Sequence, residues 1–298
     1  MRKTCLRMVY ELAKQDERIV FIGSDLGAGV MDDFKREMPD RFFMEGIGEA
    51  NMVGMAAGMA LSGKIVYCHT IATFLTRRAF EQVCIDVGLH KANVRLIGAG
   101  GGSVYAPLGP THLAVDDIAL MRTIPGMTIL SPCDAVEMEK IMPETLAIPG
   151  PIYIRLGRGG DPVVTMADSP VGAVIVKRHG KDVLLVSTGT ATQIALAVAE
   201  TVDATVLHIP TIKPLHKGVI KYTIGKNAVV TVEDHSIIGG LGSAVAELLS
   251  ESDYRGAFKR IGYPDCFPEG YGTQDEMRAR YGISTEGIIR TVRELTGR

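Results

Sequence analysis

Three short segments carry side chains whose types and spacing could do chemistry. The first, Gly46-Ile47-Gly48-Glu49-Ala50-Asn51-Met52, follows a short apolar run and opens a helical pattern. A carboxylate at that junction sits at the positive end of the helix dipole and keeps its place without a long loop. Met, Val, Ala and Gly fill the helix beyond it, with Gly54 and Gly58 one turn apart, so another backbone can approach closely and exclude water. Taken alone, Glu49 reads as an N-terminal cap; an acid beside a dry, tightly packed seam is a costlier placement than a cap requires. The second segment is Gly109-Pro110-Thr111-His112, after a glycine-rich stretch at 98–102. Loops at the carboxyl ends of parallel strands form the crevice where ligands bind, so His112 would face that crevice and could exchange protons near neutral pH. Its ordinary reading is a hydrogen-bonding scaffold residue. The glycines lack both a following Lys-Ser/Thr and the Gly-x-Gly-x-x-Gly spacing at a helix start, which excludes a nucleotide cradle. In the third segment, at 73–82, Phe74 could stack on a flat heteroaromatic ring. Phe80 is expected in the core and Arg77 on a solvated face.

Positioning these groups requires a regular scaffold. Runs rich in Val and Ile recur at 19–24, 41–45, 65–69, 94–98, 127–131 and 152–156 with helical patterns between them, which implies a parallel sheet covered on both faces. Turn and linker residues at 157–172, among them Gly159, Gly160, Pro162, Asp168, Ser169 and Pro170, break the pattern. They divide the chain into a first domain, 1–163, and a smaller second one, 172–298. Four more strands, at 182–187, 205–209, 229–233 and 258–262, and helices near 191–201, 241–250 and 285–295 build the second. The expected class is α/β, two domains, each a largely parallel sheet flanked by helices. No fixed-period repeat or low-complexity tract occurs.

A length of 298 residues suits two such domains, and 22% charged residues with a net charge of −2 speak against a nucleic-acid surface or a polyanionic partner. Small substrates are the default. Residues 1–14 read as an amphipathic helix rather than a signal peptide, and no run of about 18 apolar residues occurs, so the expected location is cytoplasmic. Cys5, Cys68, Cys84, Cys133 and Cys266 are odd in number, spread out and without Cys-x-x-Cys pairing; buried thiols are expected, not disulfides or zinc. The seven histidines form no pair at metal-ligand spacing, His208 and His216 being separated by a Pro-containing loop.

Ser24-Asp25-Leu26, the Glu49 segment, the 73–82 segment, Gly-Pro-Thr-His, and Ile124-Pro125-Gly126-Met127 through Asp134-Ala135 occur in the order and at the distances of the transketolase family of thiamine diphosphate enzymes, which the chain resembles. Val232-Glu233-Asp234-His235-Ser236 followed by Gly239-Gly240-Leu241-Gly242 resembles that family's C-terminal domain. The resemblance covers nearly the whole chain and implies a pyrimidine-binding domain followed by a transketolase C-terminal domain. It also implies roles. Glu49 would hydrogen-bond to ring nitrogen N1′ of the thiamine diphosphate aminopyrimidine and favour its imino form, with Phe74 stacked on the ring and Ile47 and Arg78 beside the cofactor. Asp25 would lie near the cofactor at a subunit interface. His112 would handle protons or hydrogen bonds at the substrate hydroxyls, and Arg158 would receive a sugar phosphate or another terminal anion.

Complete transketolases hold the diphosphate through a divalent metal on Gly-Asp-Gly and a downstream Asn. This sequence has no such pair, and Gly160-Asp161-Pro162 fails at its third position. The resemblance is therefore to the second half of a split transketolase, inactive alone and holding no metal itself. An N-terminal subunit would supply the diphosphate site with its Mg2+ or Ca2+, in a heterotetramer of two copies of each chain. The implied reaction is transfer of a two-carbon ketol unit from a ketose or ketose phosphate to an aldose. Leu108 stands where the family carries Asp, Gly100 or its neighbours where a phosphate-binding His is usual, and Ala28-Gly29 where a polar anion-binding pair is usual, so ordinary pentose phosphates are not the expected substrates. A deoxyxylulose-phosphate synthase-like enzyme and a 2-oxo acid dehydrogenase β subunit share the plan but decarboxylate their substrates. A non-catalytic scaffold subunit is the reading from another class.

Overall fold

Alternate side chains of the apolar runs point to opposite faces of a sheet, and both faces are buried. Val20 and Ile22 join one core cluster and Ile19 and Phe21 another. The strands are β1 (Ile19–Gly23), β2 (Phe42–Met44), β3 (Ile65–Ile71), β4 (Val94–Ala99), β5 (Thr128–Leu130), β6 (Ile152–Leu156), β7 (Ile175–Arg178), β8 (Val183–Ser187), β9 (Ala204–His208), β10 (Thr211–Lys213), β11 (Ala228–Ser236) and β12 (Ala257–Tyr263). This is a computed structural model, and it describes residues 1–24, 29–166 and 169–297. The first sheet runs β10-β5-β6-β4-β3-β1-β2 and the second β12-β11-β8-β9-β7; among the described strands, only β10 and β7 pair antiparallel.

Helices Arg2–Gln15 and Ala135–Glu144 cover one face of the first sheet through Leu6, Val9, Met138 and Ile141. Helix Glu49–Leu61 covers the other through Met52, Val53, Ala56 and Ala60. Each such side chain, fully buried, stabilises by about 1.5–3 kcal/mol if aliphatic and large, which is what fixes the helices on the sheet. Because β1 to β6 are parallel, their carboxyl ends open at one edge, and the chain passes from β1 out to β2 and back across β1 to β3. That reversal of strand order is where a doubly wound sheet presents a crevice.

Two strands were not expected from sequence. β7 is four residues at an edge. β10 leaves the second domain to pair with β5 of the first, Thr211 opposite Leu130. Three residues between Pro210 and Pro214 give too little local pattern for a strand; a partner 81 positions away in sequence, Leu130 against Thr211, defines it. The Val-Glu-Asp-His-Ser and Gly-Gly-Leu-Gly pair also gains a physical reason. Glu233 accepts from Leu241 N at 2.7 Å and Gly242 N at 2.8 Å, so its carboxylate caps helix Leu241–Ser250. A Cβ at Gly240 would come within 2.1 Å of Glu233 Oε2. Of the five cysteines, Cys5, Cys68 and Cys133 are buried as expected, Cys84 is partly covered, and Cys266 is exposed because it lies in the loop after β12.

Two buried groups contribute to the response to acid, alongside the buried carboxylate Asp234. His69 on β3 is buried with neither ring nitrogen bonded among the described residues, and burial, with Arg2 nearby, pushes its pKa down to about 3 from 6.5. Burial opposes ionisation of Glu137, yet His208, 2.7 Å away, and the Cys133 amide hold it at about 2, against 4.5. Both values are depressed on folding, so the unfolded chain binds protons first and stability is lost as pH falls. The melting temperature is expected to decline from pH 6.5 downward through His69 and more steeply below 4.5 through Glu137. His69→Leu should flatten the upper part and Glu137→Gln the lower part, read by calorimetry across pH; a flat profile in the wild type over that range contradicts this.

Candidate active site

Three carboxyl ends at this edge carry the residues singled out in the sequence. After β2, the chain turns at Gly46 to Gly48 and Glu49 becomes the first residue of its helix, only 2% exposed. After β3, Phe74–Arg78 winds as a π-helical turn, a form that recurs at functional sites, and places Phe74 and Arg78 side by side. Arg78 Nη1 donates to Glu49 Oε2 at 2.7 Å, and the Arg78 guanidinium carbon lies 4.3 Å above the centre of the Phe74 ring. After β4, the loop carrying Gly-Pro-Thr-His brings the His112 ring edge-on to Phe74, centroids 5.2 Å apart at 67°. The Thr111 hydroxyl lies 2.9 Å from His112 Nδ1. Glu49, Arg78, Phe74 and His112 thus form one continuous set of contacts. Thr73 Oγ1 and Thr70 Oγ1, on the approach to Phe74, are buried without hydrogen-bond partners among the described residues.

Other predicted residues stand apart. Ile47 is 91% exposed, beside Glu49 in sequence. Arg158 is exposed and lines a separate groove of about 530 Å³ with Gln193, Gln274, Asp275 and Arg278; none of Glu49, Phe74, Arg78 or His112 lines it. Asp25 lies outside the described residues. Gly58 has no atom within 4 Å of an added Cβ, and Gly54 has only Asp86 Oδ2, at 3.9 Å, so among the described residues no backbone makes the close approach that these glycines permit.

Arg77 departs from the solvated role expected of it. Its Nε donates to Asp116 Oδ2 at 2.8 Å and its Nη2 to the Leu113 carbonyl at 3.0 Å, which ties the π-helical turn to the end of the His112 loop. The glycines of that loop meet close neighbours: a Cβ on Gly100, at φ +78°, would come within 2.1 Å of the Tyr105 ring. Sequence reading also missed a buried network beneath the loop. Arg155 Nε donates to Asp117 Oδ2 at 2.7 Å, as does the Tyr153 hydroxyl at 2.7 Å, and Arg155 Nη2 reaches the Asp234 carbonyl at 2.9 Å. A charge inside the apolar run Ile-Tyr-Ile-Arg-Leu was the available signal, since a buried charge must be paired. Cys133, Glu137 and His208 also bring possible ligand atoms within 4.8 Å of one another. Their donors and acceptors are largely committed. Glu137 Oε2 accepts from Cys133 N at 2.6 Å, Asp134 caps the helix through Glu137 N, and His208 Nδ1 meets Thr192 Oγ1 at 2.8 Å.

Residues 1–160 match the family described as transketolase, pyrimidine binding domain, and residues 172–288 that described as transketolase, C-terminal domain. The chain belongs to the transketolase family. It is 37% identical over 309 residues to the 6-deoxy-6-sulfo-D-fructose transketolase subunit of Clostridium sp. strain MSTE9, covering 100% of this chain and 95% of that one. To an apulose-4-phosphate transketolase subunit of Phocaeicola vulgatus it is 37% identical, covering 98% and 96%. A solved structure described as a split gene transketolase, inactive beta4 tetramer, superposes with a TM-score of 0.89 at 35% identity over 99% of this chain and 97% of that one. In extent, this transketolase chain therefore corresponds to a separate C-terminal subunit of the family. No helix among its described residues is long and apolar enough to cross a membrane.

Proposed function

We propose that the chain is the C-terminal subunit of a thiamine diphosphate-dependent split transketolase that transfers a two-carbon ketol unit from a ketose or ketose phosphate to an aldose. The observation that carries this reading is the contact set on Glu49. The Arg78 guanidinium is itself a flat, N–H-bearing group, hydrogen-bonded to Glu49 and lying over Phe74. A carboxylate and a ring that accommodate such a group suit an aminopyrimidine, which asks for one N–H acceptor and one stacking face. When bound, thiamine diphosphate supplies the carbon nucleophile for breaking and making the carbon–carbon bond. Glu49 would accept the hydrogen bond of ring nitrogen N1′, Phe74 would supply the stacking face, and Ile47 and Arg78 would complete the surroundings of the cofactor, with a role for Asp25 that falls outside the described residues. His112 exchanges hydrogen bonds or protons with the substrate hydroxyls, and Arg158 receives a terminal anion in its groove.

The N-terminal subunit supplies the diphosphate and metal site, with Mg2+ or Ca2+, in a cytoplasmic heterotetramer of two copies of each chain. Ile47, Leu61 and Leu89 are 91%, 60% and 70% exposed, and Gly58 faces open space; apolar and small residues left uncovered in this way suit faces that an assembly would bury. Leu108, 53% exposed ahead of Gly109, offers no acceptor to a substrate hydroxyl, which supports a substrate other than the ordinary pentose phosphates. The test is the chain combined with its N-terminal subunit, cofactor and Mg2+, supplied separately with ketose phosphates, sulfonated ketoses and pyruvate. Ketol transfer to an aldose without carbon dioxide is expected. Carbon dioxide released from pyruvate would replace this reading with the decarboxylating one.

A further inference from the structure

The loop that carries His112 is held by the second domain, not only by its own sheet. Its two legs meet where Gly102 and Ala114 exchange backbone hydrogen bonds of 2.9 Å in each direction. Both legs are then gripped by the end of β11. On one leg the Asp234 carboxylate accepts from the Ser103 hydroxyl at 2.9 Å and from Ser103 N at 3.2 Å, and Gly102 packs so closely that a Cβ there would lie 2.4 Å from Asp234. On the other, Ser236 N donates to the Val115 carbonyl at 2.7 Å, and Arg155 bridges the carbonyls of Ala114, at 3.2 Å, and Asp234, at 2.9 Å. Asp234 Oδ2 also accepts from Gln274 Nε2 at 2.9 Å and Arg278 Nη2 at 2.8 Å. Gln274 and Arg278 wall the groove that contains Arg158. One buried carboxylate therefore touches both the base of the His112 loop and the wall of the Arg158 groove.

We propose that Asp234 is a positioning residue that sets the His112 loop against the Arg158 groove, so that the second domain fixes how substrate is held. This rests on the reading of His112 and Arg158 as substrate-facing. Asp234 needs no contact with substrate or cofactor to act in this way. It is ionised throughout the physiological range, because Arg278 and Arg155 outweigh the cost of burial and hold it at about 2. An uncharged amide in its place accepts less strongly from Ser103 and Arg278 together, and the loop is freed at its base.

The experiment uses Ser103→Ala and Asp234→Asn in the chain assembled with its N-terminal subunit. Ser103→Ala keeps the Asp234–Arg278 pair, so it remains informative if Asp234→Asn folds poorly. Amide hydrogen exchange in 103–113 is expected to quicken about tenfold, the scale of one hydrogen bond to a charged group, with the 49–61 helix unchanged. Steady-state kinetics should show KM for the ketose rising more than kcat falls, with thiamine diphosphate affinity the same as in the wild type. Unchanged exchange in 103–113, an equal rise in the 49–61 helix, or cofactor affinity lost in step with KM would each overturn the proposal. The exchange pattern needs no turnover. An assembled wild type without ketol transfer would therefore count against the proposed function, while the grip of Asp234 on the loop is still decided by exchange.

Discussion

Replacing Glu49 by Gln is expected to lower kcat of the assembled enzyme by roughly 10²–10⁴-fold at saturating cofactor, the range typical of a group that handles a proton in the reaction. Gln keeps the volume and the helix position but carries no charge and accepts hydrogen bonds less strongly. The fold should survive, because the partner that Glu49 loses, Arg78, is 45% exposed and can turn to water. Thermal unfolding within a few degrees of the wild type, beside a collapsed rate, separates chemistry from stability. Unchanged turnover in Glu49→Gln would instead support a scaffold subunit whose carboxylate merely sits in the first turn of a helix.

Arg155→Leu is expected to be the most destabilising single change. Its guanidinium is 6% exposed, pairs with an Asp117 that is fully buried, and also serves the carbonyls of Ala114 and Asp234. Leu would leave the Asp117 carboxylate buried with the Tyr153 hydroxyl on Oδ2, while Oδ1 accepts no hydrogen bond among the described residues and has His235 Nε2 3.9 Å away. Leaving half of a buried pair uncompensated costs about 3–5 kcal/mol. For a chain of this size that lowers the melting temperature by roughly 10 °C. The exposed pair of Arg18, 62% exposed, with Asp16 gives the control: deleting it should move the midpoint by little. If calorimetry finds Arg155→Leu no worse than an Arg18 variant, the network beneath the loop does not hold the two domains together.

What the sequence shows well is local, and what it hides is pairing at long range. The Val and Ile runs announce β1, β3, β4 and β6 because strands buried on both faces need little besides apolar residues, and their ends fall within two residues of expectation. Glu49 stands out because glycines, a strand end and a helical pattern converge on one carboxylate. The grouping of Glu49, Arg78, Phe74 and His112 follows from parallel strands opening at one edge, which is also legible. β10 is invisible because its strand character comes from β5, in another domain. Arg77 looks solvated because nothing local points to Asp116, 39 positions on. Asp234 sits in a recognisable motif, yet its partners come from two distant segments, Ser103 from the loop after β4 and Gln274 and Arg278 from helix Gln274–Arg280, and only folding assembles them.

The most direct test is a crystal structure of the two chains assembled with thiamine diphosphate and Mg2+. Ring nitrogen N1′ should lie within about 2.6–3.0 Å of a Glu49 carboxylate oxygen, the length of a hydrogen bond, with Phe74 against the ring face. A cofactor ring bound with Glu49 still held by Arg78 alone, and no contact to Phe74, would contradict the account.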